Sequence, residues 1–129
     1  MAIYVSKTGD IHLFKGDSGN ISFKGLPTDK NYNVYFAVSN PDTSGIMAEI
    51  NTVSNFSDTV EIGISSEFTD KLPVEADEER ATYQYGLKIC HGDDEYTLIP
   101  QVEVGGDNPI FKPAPKVYVH QKYVEGTVL

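Results

Sequence analysis

The densest group of chemically active side chains in the sequence is a run of one histidine and three acids. Residues 91–95, His-Gly-Asp-Asp-Glu, place an imidazole and three carboxylates close together. Carboxylate oxygens are the ligands that a hard cation prefers, so Asp93, Asp94 and Glu95 form a weak candidate Ca²⁺ site. The spacing differs from that of an EF-hand loop, and a Gly-Asp pair between two strand-like runs is typical of a hairpin turn. We therefore expect a turn here and no bound metal.

The other side chains that could serve catalysis or bind zinc are isolated in the sequence. The three histidines, His12, His91 and His120, are far apart, and no two of them have zinc-ligand spacing. Cys90 is the only cysteine, and its neighbour His91 would point to the opposite face of a strand. The sequence has no nucleophile elbow, phosphate-binding loop or dinucleotide fingerprint. These patterns predict that the protein is not an enzyme and needs no cofactor.

Charge narrows the class of partner. The 129 residues include ten Lys and Arg against nineteen Asp and Glu, for a formal net charge of −9. Phosphate backbones and anionic lipid surfaces attract clusters of positive charge, so we expect neither nucleic acid nor a membrane as partner. The charge is uneven along the chain. Residues 1–107 carry seven basic and eighteen acidic side chains, whereas residues 108–129 carry three basic and one acidic.

Hydrophobic and polar residues alternate along most of the chain. Val60, Ile62 and Ile64, for example, are separated by polar or small residues, which is typical of a half-buried strand. Segments rich in Gly, Pro, Asn and Asp separate such runs at intervals of roughly 8–12 residues. The pattern predicts an all-β fold, a single antiparallel β-sandwich of the Ig-like or jelly-roll-like kind. One helical turn is expected at residues 65–72, because a serine precedes an acidic first turn and Pro73 follows.

The end of the sequence has a different character. Residues 109–115 contain three prolines, which cannot donate to a sheet ladder and favour extended chain. We therefore assign residues 1–107 to the sandwich and residues 108–129 to a Pro-rich linker followed by a C-terminal arm or the last strand. An arm would pair with the sheet edge of another subunit. Its candidate partner-binding residues are three lysines and four apolar or aromatic residues: Lys112, Lys116, Val117, Tyr118, Val119, Lys122 and Tyr123.

Several segments between residues 10 and 104 are arranged in a familiar order. They are Lys15-Gly16-Asp17 with Ile21-Ser22-Phe23, residues 32–38, residues 60–64, residues 68–73, residues 81–89, and Gly92-Asp93-Asp94-Glu95 with residues 96–100. Their order resembles that of the β-sandwich domain at the N-terminus of upper-baseplate proteins of tailed phages of Gram-positive bacteria. The resemblance implies a virion role, as a small structural domain that docks onto a capsid, neck or baseplate.

These observations lead to two expectations about function. The first is a non-enzymatic structural or assembly protein of a tailed-phage virion: a head decoration, a fibre anchor, or a tail or baseplate component. The first residues lack a secretory-signal pattern, so we expect assembly in the host cytoplasm. Its partners would be other virion proteins, including further copies of the chain in a homo-oligomer. The alternative is a carbohydrate- or receptor-binding module, because the eight tyrosines could stack on sugars.

Overall fold

Strands form most of the structure, a computed structural model that describes residues 3–6, 9–43, 45–99, 102–105, 108–111 and 115–121. Within these residues lie eleven strands and one short helix. The strands are β1 Ile3–Val5, β2 Ile11–Phe14, β3 Gly19–Lys24, β4 Asn33–Ser39, β5 Ile46–Val53, β6 Thr59–Ile64, β7 Arg80–His91, β8 Asp94–Ile99, β9 Val102–Gly105, β10 Asn108–Phe111 and β11 Lys116–His120. The prediction of an all-β fold is confirmed.

Seven strands form one sheet that is organised around β7. The order is β1-β2-β11-β7-β4-β5, and β8 also pairs with β7. β7 is twelve residues long and pairs with β4 along one edge. Along its other edge, residues 80–84 pair with β11 and residues 87–91 pair with β8. The pairing of β11 with β2 is parallel, and the other pairings in this sheet are antiparallel.

β8 and β11 lie end to end along the same edge of β7. Ile99, the last residue of β8, is opposite Leu87, and Lys116, the first residue of β11, is opposite Gln84. Between them the Tyr85 N–H donates to the carbonyl oxygen of the residue before Lys116 at 3.1 Å, which continues the ladder. The chain that links the two strands contains β9 and β10, which pair as an antiparallel hairpin. This hairpin is therefore an excursion from what would otherwise be one continuous strand.

β11 is an interior strand of the sheet. It hydrogen-bonds to β2 on one side and to β7 on the other. Val117 and Val119 are only 1% and 0% exposed. Of the two interpretations of this segment, the structure shows the last strand for residues 116–120 and not an extended arm. The sheet consequently continues past residue 107, across the predicted domain boundary.

One face of this sheet is apolar and buried. Alternate residues of each strand share a face, which is why the alternating sequence produces one apolar side. The third and sixth strands, β3 and β6, form a separate two-stranded sheet whose apolar residues belong to the same buried cluster. The ring of Phe23 in β3, for example, lies 5.9 Å from the ring of Phe36 in β4. The largest apolar side chains that are completely buried are Phe36, Ile11, Leu13, Ile62, Leu72 and Ile89.

The predicted helical turn is present as α1, Ser66–Asp70. The Ser65 hydroxyl caps it by accepting from the Phe68 N–H at 3.1 Å. Thr69 is buried, and its hydroxyl accepts from the Gly16 N–H at 3.1 Å, which ties the helix to the turn after β2. Among the described residues, no helix has the length and hydropathy needed to cross a membrane.

Candidate functional site

The acidic run forms the turn between β7 and β8. Gly92 and Asp93 make its two-residue loop, and Gly92 has a φ of 60°, which glycine adopts without strain. Asp94 and Glu95 follow as consecutive residues of β8, so they point to opposite faces and do not converge with Asp93. In the part of the chain that the structure describes, no three His, Cys, Asp or Glu side chains are grouped to hold a metal. The geometry is that of a hairpin turn.

The structure separates the predicted partner-binding residues. Val117 and Val119 point into the core and are unavailable to a partner. Lys116 is exposed, and its backbone N–H donates to the Asp10 carboxylate at 2.9 Å. Tyr118 is half-buried on the face of the sheet opposite the core, which we call the outer face. The remaining three, Lys112, Lys122 and Tyr123, lie outside the described residues.

Aromatic rings cross the outer face at the β1 end of the sheet. The register places Tyr4 of β1, His12 of β2 and Tyr118 of β11 side by side. Successive ring centroids are 5.0 Å apart, and the Arg80 guanidinium carbon lies 4.4 Å from the Tyr118 centroid. Because neighbouring rings stack face to face, their faces contact one another and do not form a flat platform for a sugar. This aromatic ladder stabilises the pairing of β1, β2 and β11.

Two histidines meet beside the aromatic ladder. His12 Nδ1 lies 3.1 Å from His120 Nε2, so one nitrogen carries the shared hydrogen and the other accepts it. Burial, and then the positive charges of His12 and Arg80, lower the pKa of His120. The lowered pKa favours the neutral form of His120. The two histidines are 108 positions apart in the sequence, so spacing arguments did not predict the pair, and only the parallel pairing of β2 with β11 brings the rings together.

A trough of about 550 Å³ crosses the outer face over β4, β5, β7 and β8. Its floor is low because two small residues, Ala37 and Gly86, lie opposite each other. A Cβ on Gly86 would approach the Ile99 carbonyl oxygen to 3.2 Å, so the close passage of β8 favours glycine there. Around this floor stand Tyr35, Ile46, Glu49, Lys88, Cys90 and Glu95.

The polar groups of the trough interact with one another. Lys88 Nζ lies 3.7 Å from a Glu95 carboxylate oxygen and 5.4 Å from the centroid of the Tyr35 ring. A hydrogen bond with the Cys90 thiol raises the pKa of the Tyr35 hydroxyl, so the phenol stays protonated at neutral pH. No histidine is among the described residues that line the trough, so Cys90 has no imidazole base there. This arrangement suits non-covalent binding better than nucleophilic catalysis.

The chain matches no known family model and no curated protein sequence. The exposed surfaces of the fold are therefore the basis for its proposed function. The aromatic ladder packs along its own strands, whereas the trough is open to a ligand.

The β9–β10 hairpin forms a two-stranded sheet of its own, apart from the seven-stranded sheet. It pairs Val102–Gly105 with Asn108–Phe111, and neither strand pairs with a third strand among the described residues. In its register, Val102 is paired with Phe111 and Val104 with Pro109. The first of the prolines that suggested a linker, Pro109, therefore lies inside a strand of the hairpin, and the sequence did not predict this hairpin.

Proposed function

We propose that the chain is a non-enzymatic structural and assembly protein of a tailed-phage virion: a head decoration, a fibre anchor, or a tail or baseplate component. It docks onto other virion proteins, and the β9–β10 hairpin is the docking element. The observation that supports this most directly is the excursion itself. β8 and β11 lie end to end on β7, so the sheet could close without the hairpin. A segment that the pairing of the seven-stranded sheet does not require is well suited to contact a partner.

The body that carries the hairpin is, in this proposal, a β-sandwich of the two sheets. Ile21 of β3 and Ile62 of β6 belong to one buried cluster with Phe36 of β4. The Phe23 ring also lies 6.1 Å from the ring of Tyr85 in β7. Two sheets that bury their apolar faces against each other make a rigid scaffold, which would present the hairpin in one orientation.

Replacing the hairpin tests the docking function. The variant joins Ile99 to Pro115 through Gly-Gly in place of residues 100–114, a gap of roughly 7 Å judged from the register along β7. We expect cooperative thermal unfolding to remain, because every strand of the core is retained. We also expect the variant to be absent from virions assembled in host cells that supply it in place of the wild type, as measured by mass spectrometry of purified particles.

A matched control changes the neighbouring hairpin turn instead. Asp93→Asn combined with Asp94→Asn alters the exposed β7–β8 turn and should leave incorporation unchanged. If the hairpin-less variant enters virions at the wild-type level, the hairpin is not the docking element. Absence of the wild-type chain from purified virions would contradict the virion function as a whole.

The trough favours a second candidate function, the binding of a glycan. It combines an apolar floor with the Tyr35 ring and with Glu49, Lys88 and Glu95, which could hydrogen-bond to sugar hydroxyls. A glycan array probed with the purified chain tests this function, and Ala37→Leu, which fills the floor, should abolish any binding. The binding should persist in EDTA, because the carboxylates of the β7–β8 turn do not converge. An array without specific binding would reject this function.

A further inference from the structure

The free edges of the seven-stranded sheet differ in their capacity to pair with another strand. β1 has only three residues, and β8 begins with Asp94 and Glu95, whose charges would repel a second acidic strand. β5 is eight residues long and pairs only with β4 among the described residues. It has neither lysine nor proline, the residues that proteins commonly use to block an edge. β5 is therefore the edge of this sheet least protected against pairing.

β5 also exposes apolar side chains. Ile46 and Val53, at its two ends, are 62% and 50% exposed. Glu49 is its one charged residue. The register with β4 shifts near Ile46, so the regular part of the edge begins at Ala48.

We infer that the free edge of β5 pairs antiparallel with β5 of a second copy of this chain, around a twofold axis at Ile50. This interface rests on the proposed docking function and deepens it by naming one partner. An antiparallel pair related by a twofold axis is self-complementary, so the same edge supplies both halves of the contact.

The charges select the register. Pairing around Glu49 would place two carboxylates directly opposite each other, which is unfavourable. Pairing around Ile50 places Glu49 opposite Asn51 of the second copy, and the carboxylate can accept from the amide N–H. This contact occurs twice in the dimer. It also brings the two partly buried Ile50 side chains together on the side of the sheet that faces the core.

The net charge of −9 on each copy opposes any association of two chains. The β5 edge carries one carboxylate in each copy, opposite an amide, so the edge itself adds little to that repulsion. We therefore expect a dimer that dissociates measurably and becomes tighter as salt screens the overall charge.

Opposite charge changes at Asn51 test the interface. In the dimer, Asn51→Glu would face two carboxylates against the two Glu49 side chains, and Asn51→Lys would create two attractive pairs. We expect the dimer dissociation constant of the full chain to be roughly tenfold higher in Asn51→Glu, and lower in Asn51→Lys, because two pairs change in each dimer. Sedimentation velocity over a range of protein concentrations measures it.

Asn20 provides the matched control. It is an exposed asparagine on β3, in the other sheet, so Asn20→Glu and Asn20→Lys make the same changes in net charge away from β5. A chain that is monomeric at all concentrations would overturn the inference, and so would a dimer that responds equally to changes at Asn20 and Asn51. A monomeric chain that still enters virions would leave the docking function standing. A dimeric chain that is absent from virions would support the β5 interface and contradict the virion function.

Cross-linking checks the position of the twofold axis. In a Cys90→Ser background, Ile50→Cys would place two thiols opposite each other at a Cα separation of roughly 4.5–5.5 Å, within the range for a disulfide. Asn51→Cys would place its two thiols two residues out of register. We expect rapid oxidation to a covalent dimer for Ile50→Cys only, on non-reducing gels. Equal or faster cross-linking of Asn51→Cys would overturn the proposed register.

Discussion

His12 and His120 share one hydrogen between two ring nitrogens, so their contact depends on pH. If both rings were charged, two donors would face each other and the hydrogen bond would be lost. The aromatic ladder surrounds this pair with Tyr4, Tyr118 and Arg80. Protonation of His120 would place a second positive charge next to Arg80. At the scale of single residues, we therefore expect the contacts at the β1 end of the sheet to weaken in acid.

The unfolding free energy should fall as pH is lowered below about 6.5. The pKa of His120 is lowered in the folded chain, so below the ordinary histidine pKa the unfolded chain binds a proton that the folded chain does not. His120→Gln keeps an acceptor for His12 without titrating. We expect its stability, measured by urea unfolding between pH 7.5 and 5.5, to decline less than that of the wild type.

His91→Gln is the control for this measurement. It removes an imidazole from the exposed β7–β8 turn, far along the chain from the pair, and should leave the pH dependence of unfolding as it is in the wild type. Parallel pH profiles for His120→Gln and the wild type would contradict the role assigned to His120.

The interpretation of β11 differs most between the sequence and the structure. As an arm, its apolar and basic residues would have contacted a partner. As an interior strand, Val117 and Val119 bury their side chains while Lys116 and Tyr118 stay on the outer face. We therefore propose the preceding hairpin and the β5 edge, and not β11, as the partner-binding elements.

Removal of β11 should prevent folding. A chain that ends at residue 114 lacks the strand between β2 and β7, which leaves two edges unpaired and exposes the core beneath Val117 and Val119. We expect loss of the cooperative unfolding transition, measured by circular dichroism on heating.

The hairpin-less variant is the control, because it removes fifteen residues nearby but keeps β11. A truncated chain that unfolds cooperatively at the wild-type temperature would show that β11 is dispensable, as expected of an arm. The two variants together separate the contribution of the last strand from that of the excursion before it.

At the scale of the whole molecule, burial of one small core has to stabilise a chain whose excess negative charge opposes folding. A net charge of −9 on 129 residues produces repulsion that is stronger in the compact state than in the expanded unfolded chain. The described contacts include few compensating pairs, one of which joins Lys88 to Glu95 at the trough. Ionic strength should therefore affect both stability and association.

The midpoint of urea unfolding should rise between about 20 mM and 200 mM NaCl. Salt screens repulsion between exposed carboxylates over distances beyond the Debye length, roughly 10 Å at 0.1 M. Measurement at a protein concentration where the chain is monomeric separates this effect from dimer formation. An unchanged or lower midpoint at high salt would mean that favourable ion pairs outweigh the excess of negative charge.

The sequence by itself determined most of the strands, although not the β9–β10 hairpin. The alternation at residues 60–64 and in β7 predicts a half-buried strand whatever its partner, because residues two apart always share a face. The same local rules predicted the turn at Gly92 and the helical turn capped by Ser65. Such features depend on neighbours in the chain, which the sequence contains.

Only the tertiary structure decided how the strands pair. A β-rich run after a Pro-rich segment fits an arm or a last strand equally well, and the choice depends on the open gap between β2 and β7. The strands on either side of that gap lie about 105 and 35 positions before β11 in the chain. Pairing between distant segments also produces the histidine pair, the trough and the continuous edge shared by β8 and β11. Strand pairing follows from which backbone edges are left free in space, and no local pattern of side chains encodes that.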